Sequence, residues 1–362
     1  MAIFDRIFKK EGYLCLYEKE TEMFEQLDKD FVSFLNEYDV KRYSIPAMID
    51  GNVLAKCNYF ESFPHHLSSV STVKENRLAN VSANKIVTNE DLQTHNKFLT
   101  PAACLHIYPM LEGKKIQNQN IITKARVYRY EGNRYNETGR FWDYTVREMV
   151  FVGSVDYVRK MLKEIMDKTI TYAKNITPKA KLVQSSDVFF SCKRNEIKKK
   201  LQLANEKKFE VIIPIDGEDV AVASFNFHGN HFSMPFHFDQ KGSIVSGCVG
   251  FGLERWLLAK LFYEENKEWK LQKAIAEIIS PLVEREIREA DYQSSLQSEF
   301  NMDSIVLVEA IIALETVFGI EFKDTDLVIE NFENINAIYN NIVKYRCEGW
   351  CYDYTIKKVD TP

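Results

Sequence analysis

The chain has 362 residues, of which 45% are hydrophobic and 27% charged, and its formal net charge is −5. This length and apolar fraction suffice for a large core and predict a globular protein of two domains. The mild acidic balance argues against a nucleic-acid surface, and charges interrupt every apolar run well short of a membrane-spanning length.

The first 24 residues mix acidic and basic side chains, which predicts neither a secretory signal nor a transit peptide, and hence a cytoplasmic protein. The cysteines are odd in number and scattered, and no two form a Cys-x-x-Cys pair. They therefore predict neither a disulfide framework nor a zinc ribbon. The seven are Cys15, Cys57, Cys104, Cys192, Cys248, Cys347 and Cys351.

A strand, a polar turn and a second strand are predicted between residues 123 and 154. The first strand covers Ala125–Glu131 and the second covers Arg140–Gly153, and the residues between them are rich in glycine and asparagine. This pattern is typical of an antiparallel hairpin.

Charged and aromatic side chains share one face of each predicted strand, because alternate residues of a strand point the same way. Arg129 and Glu131 lie together on the first strand. Arg140, Tyr144 and Glu148 line one face of the second. Arginine offers a bidentate fork to phosphate, and tyrosine offers a ring that stacks on a base, so this face suits a nucleotide. A solvent-exposed antiparallel sheet is the alternative that spacing alone leaves open.

A glycine-spaced strand from residue 243 leads into a helix that begins with Glu254 and Arg255. Gly250 and Gly252 permit close approach of backbone or ligand at the point where Arg255 emerges. A third glycine and a βαβ context are missing, which excludes a dinucleotide-binding fingerprint.

These two segments resemble motifs 2 and 3 of class II aminoacyl-tRNA synthetases. The resemblance is strongest to the amino acid:carrier-protein ligases, truncated relatives of seryl-tRNA synthetase, and it extends from about Glu18 to Phe262. Residues 59–64, 98–109 and 224–232 support it. The family implies an α+β fold, with an antiparallel sheet flanked by helices, and a homodimer that binds ATP in a bent form.

The resemblance also implies roles for individual side chains. Arg129 contacts the α-phosphate and Arg255 the γ-phosphate. Tyr144 takes the aromatic position that stacks on adenine. Glu131 contacts adenine or the motif 2 loop, and Arg140 helps to hold the triphosphate. Preplaced cations suit this chemistry because attack on the α-phosphate adds charge at phosphorus.

The sequence departs from the family pattern at the Mg²⁺ site. The metal-binding carboxylate of seryl-tRNA synthetases falls here near Val220 or Ala221. Mg²⁺ is then expected to depend on ATP itself and on Glu218, or on another residue that the sequence does not identify.

Zinc is implied by the similarity to archaeal-type seryl-tRNA synthetases, which hold it with cysteine, glutamate and cysteine. Cys104, Glu148 and Cys248 stand at the matching positions, although by spacing alone such distant cysteines are ordinary core residues. Two thiolates and one carboxylate leave a fourth position open, where the amino group of a substrate can bind. The family implies a small amino acid, glycine or alanine.

The charged stretch from Tyr263 to Trp269 lacks apolar periodicity and predicts the linker between domains. The expected division is a synthetase-like domain at 1–263, a carrier-like domain at 264–348 and a tail at 349–362. Cys347 and Cys351 are interpreted as residues of the chain's end, with redox or metal chemistry as the alternative.

An apolar-periodic run after Asp303 predicts a helix. Asp303 occupies an N-cap position, which leaves the Ser304 hydroxyl in the first turn, near free backbone N–H groups that suit a phosphodiester. A capped surface helix is the alternative. The apolar residues expected to form one buried stripe are Ile305, Val308, Ile311, Ile312, Leu314 and Phe318.

An acidic stretch surrounds this helix, with nine acidic side chains and one lysine between Glu299 and Glu333. Its net charge of −8 suits the steering of basic partner surfaces. Residues 268–346 resemble an acyl or peptidyl carrier protein, with a first helix at Leu271–Ile279. The resemblance implies a four-helix bundle whose Ser304 receives 4′-phosphopantetheine from a phosphopantetheinyl transferase.

The predicted function is ATP-dependent activation of a small amino acid and its transfer to the phosphopantetheine thiol of a carrier domain, the chain's own by preference. A downstream enzyme that accepts the aminoacyl thioester is the implied partner, with neither tRNA nor membrane. One alternative is a tRNA synthetase, against which the absence of a long coiled-coil arm and of a basic tract counts. Another is a non-catalytic synthetase-like scaffold for the carrier.

Overall fold

A computed structural model describes residues 7–10, 12–132, 139–187, 189–238 and 243–345. Internal contacts divide the chain into two compact units, Met1–Tyr263 and Glu264–Pro362. The predicted tail, with Cys347 and Cys351, lies outside the described residues. None of the helices described is both long and apolar enough to cross a membrane.

The first unit combines strands and helices. Its strands are β1 (Ile7–Lys10), β2 (Tyr13–Leu16), β3 (Val40–Arg42), β4 (Met48–Asp50), β5 (Ser69–Val73), β6 (Leu92–Leu99), β7 (Gln119–Tyr128), β8 (Asp143–Gly153), β9 (Lys181–Gln184), β10 (Lys208–Ile215), β11 (Glu218–Gly229) and β12 (Val245–Gly252). Its helices are α1 (Glu18–Ser33), α2 (Gly51–Lys56), α3 (Tyr59–Ser62), α4 (Leu78–Asn84), α5 (Ile107–Leu111), α6 (Val155–Ile176), α7 (Lys193–Ala204) and the start of α8 (Leu253–Ile279).

A seven-stranded sheet in the order β3-β7-β8-β12-β11-β10-β9 is the centre of this unit among the described residues. Each neighbouring pair is antiparallel except β3 and β7, which are parallel. Smaller sheets are formed by β4-β6-β5 and by β1-β2. The predicted antiparallel class is confirmed.

Helices cover one face of the large sheet because that face is apolar. On α6, buried residues recur at helical spacing from Val158 to Ala173, and the Ser154 hydroxyl caps its first turn by accepting from the Tyr157 N–H. Phe31 of α1 stacks on Phe251 of β12 with ring centroids 4.3 Å apart. The opposite face carries the polar residues described below.

The predicted motif 2 hairpin is present, with different bounds. The first strand ends at Tyr128 and the second begins at Asp143, so Arg129, Glu131 and Arg140 follow or precede the strands and do not lie within them. One backbone hydrogen bond, from the Arg129 N–H to the Trp142 carbonyl, continues the pairing beyond the strand ends.

The stretch predicted as the linker between domains is part of a helix. Residues 263–269 are helical, and the predicted first carrier helix at Leu271–Ile279 is the last part of α8. Glu and Lys are strong helix formers, and residues 263–269 contain neither glycine nor proline, so a helix without a clear apolar stripe is favoured.

The second unit is helical in its described part. Besides the end of α8 it contains α9 (Leu296–Glu299), α10 (Ser304–Phe318) and α11 (Ile335–Lys344). Asp303 caps α10, since its Oδ1 accepts from the N–H groups of Ile305 and Val306, each at 2.9 Å. This confirms the N-cap assignment.

The buried stripe of α10 differs from the predicted one. Leu314 and Phe318 are buried as expected, but Ile305 is 70% exposed, Val308 55% and Ile312 56%. The third buried residue is Ala310. Apolar side chains occupy more than one face of this helix, so periodicity alone did not identify the face that packs on the core.

Candidate functional site

The polar face of the large sheet borders a cavity of about 720 Å³. Eight of the side chains that the sequence assigned to the ATP and metal sites of the synthetase-like domain line this cavity. They are Cys104, Arg129, Glu131, Arg140, Tyr144, Glu148, Cys248 and Arg255. Residues far apart in the sequence therefore meet at one place, as the resemblance implies.

Strand register explains why Glu148 and Cys248 approach each other. Glu148 of β8 lies opposite Gly250 of β12, two residues beyond Cys248, so the two side chains are diagonal neighbours on one face. Cys104 enters from the 3-10 turn at Ala103–His106. Gly250 offers no side chain that would separate Glu148 from the cavity.

Cys104, Glu148 and Cys248 form a compact ligand set. Their Sγ and carboxylate oxygen atoms all lie within 4.8 Å of one another, and all three side chains are buried. Two sulfur ligands and one oxygen ligand at this spacing fit a zinc ion with a fourth position open to a small molecule. The chemistry and spacing of these three donors are therefore compatible with zinc, the metal that the resemblance implies.

Without a cation, the pKa of each of these three groups is raised above its ordinary value. A hydrogen bond to Cys104, burial and the neighbouring Glu148 raise the pKa of the Cys248 thiol well above its ordinary value. For Cys104, burial and Glu148 together outweigh a lowering hydrogen bond from Cys248, and its pKa is raised as well. Burial also raises the pKa of Glu148. A divalent cation binding here would displace protons.

Arg129 interacts electrostatically with both Tyr144 and Glu148. Its Nε donates to the Pro101 carbonyl at 2.9 Å, and its guanidinium carbon is 5.8 Å from the Tyr144 ring centroid. Burial lowers the Arg129 pKa, but the neighbouring Tyr144, Tyr59 and Glu148 outweigh it, so the pKa is raised above its ordinary value. The guanidinium is thus a fixed cation in the cavity wall.

Arg255 is held by two backbone carbonyls. Its Nε donates to Gly139 at 2.9 Å and its Nη1 to Ala221 at 2.8 Å. Gly139 has a φ of +114°, and a Cβ there would lie 2.8 Å from Arg255 Cγ. Glycine at 139 is therefore required both by its backbone conformation and by this contact.

Glu131 and Arg140 form an ion pair at the mouth of the hairpin, with Arg140 Nη1 3.6 Å from Glu131 Oε2. The Arg140 side chain is 48% exposed, compared with 16% for Glu131. A partly exposed ion pair of this kind contributes little to the stability of the fold. Its position in the wall of the cavity therefore indicates a role in the site more than a role in stability.

Sequence analysis missed three polar residues of β11 that line the same cavity: Ser224, Asn226 and His228. They alternate with Phe225 and Phe227, and this period-two pattern is the signal that could have identified them. Asn226 Nδ2 donates to Ser224 Oγ at 3.1 Å and to Cys248 Sγ at 3.7 Å. Burial lowers the pKa of His228 to about 3, so its imidazole is neutral.

Lys208 also lines the cavity and was not identified from the sequence. It is a nearly buried cation that pairs with two carboxylates. Its Nζ lies 2.7 Å from Asp187 and 3.1 Å from Glu210. Glu210 is the cross-strand partner of Ser224, whereas Glu218 is exposed and is not among the described residues that line the cavity. The structure therefore gives no support to Glu218 as the Mg²⁺ ligand.

Ser304 is the first residue of α10 and is exposed to solvent. Its position beside the Asp303 cap leaves its hydroxyl accessible at a helix N-terminus, as the carrier resemblance implies.

Residues 273–342 match the model of a protein family that is described as phosphopantetheine attachment site, and this range contains Ser304. The predicted carrier resemblance is confirmed. A domain of the phosphopantetheine attachment class is therefore present at this end of the sequence.

Curated relatives match half or more of the chain. The amino acid–acyl-carrier-protein ligase 1 of Bradyrhizobium diazoefficiens is 25% identical over 270 residues, which cover 70% of this chain and 82% of the ligase. The type-2 serine–tRNA ligase of Methanopyrus kandleri is 26% identical over 197 residues, or 50% of this chain and 37% of the relative. That of Methanocaldococcus jannaschii is 27% identical and matched over 46% of its length. The chain thus spans less than half of these serine–tRNA ligases.

Solved synthetases share the fold. The structure of M. kandleri SerRS in complex with A. aeolicus tRNASec has a TM-score of 0.63 at 18% identity, covering 72% of this chain and 55% of the other. Giardia lamblia prolyl-tRNA synthetase in complex with prolyl-adenylate gives a TM-score of 0.52 at 11% identity, covering 71% and 50%. The chain therefore combines a class II synthetase-like region, similar to amino acid–carrier-protein ligases and to the seryl-tRNA synthetase core, with a phosphopantetheine attachment domain.

Proposed function

We propose that this chain activates a small amino acid with ATP and transfers the aminoacyl group to the phosphopantetheine thiol of a carrier domain, its own by preference. The observation that carries the proposal is the shared cavity: the arginines, the tyrosine and the Cys104–Glu148–Cys248 set all line it. The ligase relatives and the attachment domain at 273–342 support the transfer step.

In the first step, a carboxylate oxygen of the amino acid attacks the α-phosphorus of ATP. The new O–P bond forms as the bond to pyrophosphate breaks, giving an aminoacyl adenylate. Arg129 and Arg255 are assigned to the α- and γ-phosphates, where fixed cations stabilise the charge that develops. Tyr144 is assigned to adenine, with Glu131 and Arg140 on the nucleotide side of the cavity. Mg²⁺ accompanies ATP.

In the second step, the phosphopantetheine sulfur attacks the carbonyl carbon of the adenylate. A C–S bond forms, the C–O bond to AMP breaks, and the thiol proton passes to solvent. Ser304 is the proposed attachment residue, modified beforehand by a phosphopantetheinyl transferase. The product is an aminoacyl thioester, which requires a downstream enzyme that accepts it.

Cys104, Glu148 and Cys248 are proposed to hold zinc. A bound zinc ion would supply an open position for the unprotonated amino group of the substrate. A small substrate, glycine or alanine, is proposed because the family resemblance implies it. A homodimer is part of this proposal, as the resemblance implies.

The deciding experiment measures amino-acid-dependent ATP–pyrophosphate exchange for all twenty amino acids. The holo protein is then obtained by coexpression with a broad phosphopantetheinyl transferase. It is incubated with ATP and the active amino acid, and its intact mass is measured by mass spectrometry. Wild type should gain the prosthetic group and then an aminoacyl group that hydroxylamine releases.

Ser304→Ala should retain exchange and gain neither mass increment, whereas Ser298→Ala, an exposed serine nearby, should behave as wild type. If no amino acid supports exchange, the front part is a scaffold. If tRNA is charged and the holo protein is not, the chain is a tRNA synthetase. Either result would overturn the proposal.

A further inference from the structure

Two side chains of β11 contact the Cys248 sulfur. Glu148 approaches from β8, on the other side of the strand that carries Cys248. His228 Nε2 lies 3.5 Å from Cys248 Sγ, and Asn226 Nδ2 lies 3.7 Å from the same atom. Both nitrogen atoms belong to residues of β11, the strand paired with the one that carries Cys248. Neither is a ligand in the compact set of described residues, which consists of Cys104, Glu148 and Cys248.

The other nitrogen of His228 faces two hydroxyl groups. Nδ1 lies 3.1 Å from Ser246 Oγ and 3.2 Å from Tyr108 Oη. The Tyr108 ring is fixed in turn, because it is buried and stacks on Phe232 with centroids 4.0 Å apart. The imidazole therefore spans from a hydroxyl pair to the sulfur.

A metal-bound cysteine restricts how this imidazole can be protonated. A thiolate has no proton to donate, so a nitrogen beside it must carry the N–H if a hydrogen bond is to form. A neutral imidazole carries one proton, and placing it on Nε2 leaves Nδ1 as an acceptor. Ser246 and Tyr108 can each donate to that acceptor by rotating a hydroxyl.

We infer that His228 is a positioning residue for the metal site: held as its Nε2–H tautomer by Ser246 and Tyr108, it donates to the Cys248 thiolate. Partners of this kind orient a ligand and tune the charge on sulfur. The inference rests on the proposed zinc site and adds a residue that acts on the metal through Cys248.

The test uses the full chain loaded with Co²⁺ in place of zinc, since cobalt gives a sulfur-to-metal charge-transfer band. Three variants separate the donor from the bulk of the ring. His228→Leu removes the donor, His228→Gln places an amide N–H near the level of Nε2, and His228→Asn places one near Nδ1, too short to reach Sγ. His231→Leu is the matched control, because His231 lines the same cavity and contacts the Cys57 carbonyl instead.

We expect His228→Leu and His228→Asn to shift the charge-transfer band to lower energy and to weaken cobalt binding about 10- to 100-fold in competition with a chelator. His228→Gln should recover most of both properties, and His231→Leu should match wild type. Unchanged band and affinity in the Leu and Asn variants would overturn the inference and leave the metal site intact. If wild type binds no cobalt, the metal part of the proposed function fails, and the inference with it.

Discussion

Gly247 of β12 lies directly against Leu162 of α6. A Cβ at Gly247 would be 2.9 Å from Leu162 Cδ1, from Val158 Cγ1 and from the Asn226 carbonyl oxygen. Helix α6 thus packs onto the strand at the residue next to Cys248. The close approach fixes the strand that presents one proposed ligand.

Gly247→Ala is expected to lower the free energy of unfolding by about 1–3 kcal/mol, because the backbone contact cannot move aside. Gly250→Ala in the same strand is the control, since a Cβ there meets Val146 and Glu148 at 3.5 and 3.6 Å, ordinary contact distances. Denaturant unfolding of both variants measures the difference. Equal stabilities would contradict the packing described.

Zinc is expected to copurify at about one ion per chain, as three ligands are already assembled. Cys104→Ala or Cys248→Ala should remove the metal and amino-acid activation together, as measured by elemental analysis and pyrophosphate exchange. Cys57→Ala is the matched control, because Cys57 is buried and lines the cavity but lies outside the ligand set. Full activity in a metal-free Cys104→Ala variant would refute the role of zinc.

Metal affinity should fall as the pH is lowered. The raised pKa values of Cys104, Cys248 and Glu148 mean that protons compete with the cation for all three groups. Titration with Co²⁺ at several pH values measures this competition. A pH-independent affinity would indicate ligands other than these.

Arg255→Ala should leave the metal in place and lower pyrophosphate exchange by about 10²- to 10³-fold or more, because it removes a fixed cation from the cavity and no metal ligand. Arg126→Ala is the control, since Arg126 pairs with Asp143 and is not among the described cavity residues. Exchange at the wild-type rate in Arg255→Ala would mean that motif 3 is misassigned.

Glu254 should make stability depend on pH. Its carboxylate accepts from the Thr145 N–H at 2.8 Å, and burial raises its pKa to about 7. The folded state then binds a proton that the unfolded state releases near pH 4.5, so this contribution is full below about pH 4.5 and is lost as the pH rises to about 7. Relative to that of Glu254→Gln, the free energy of unfolding of the wild type should fall by about 3 kcal/mol between about pH 4.5 and about pH 7. Parallel curves in urea at pH 5 and pH 8 would contradict this.

The carrier helix offers a matched pair of substitutions. Leu314→Ala should destabilise the second unit by about 2–5 kcal/mol, because Leu314 is fully buried in its core. Ile312→Ala should change stability by less than about 1 kcal/mol, because Ile312 is 56% exposed. Hydrogen exchange of the α11 amides in the full chain distinguishes them, and equal effects would mean that the buried face of α10 is misassigned.

The motif residues could be named from the sequence because their chemistry limits the choice of side chain. A triphosphate needs arginines, a ring needs an aromatic partner, and the spacing of Arg129, Tyr144 and Arg255 matches a known pattern. The cap at Asp303 was equally local, since a carboxylate reaches N–H groups only two and three residues away. A cap of this kind depends only on residues that are close together along the chain, so it can be recognised from the sequence.

The buried face of α10 was not predictable in this way. It depends on which surface packs against a core, and an apolar residue such as Ile305 carries no mark that separates an exposed position from a buried one. His228 and Lys208 were missed for the same reason, because their partners Cys248 and Asp187 lie 20 and 21 residues away along the chain.

By itself, the sequence determined the synthetase-like and carrier-like classes, the cap of the carrier helix and the identities of the residues with the relevant chemistry. Only the tertiary structure decided that Cys104, Glu148 and Cys248 lie within 4.8 Å of one another, and that Arg129 and Arg255 share their cavity. The physical reason is strand register: the pairing of Gly250 with Glu148 fixes which side chains are neighbours, and hydrogen bonds between strands far apart in sequence establish that pairing.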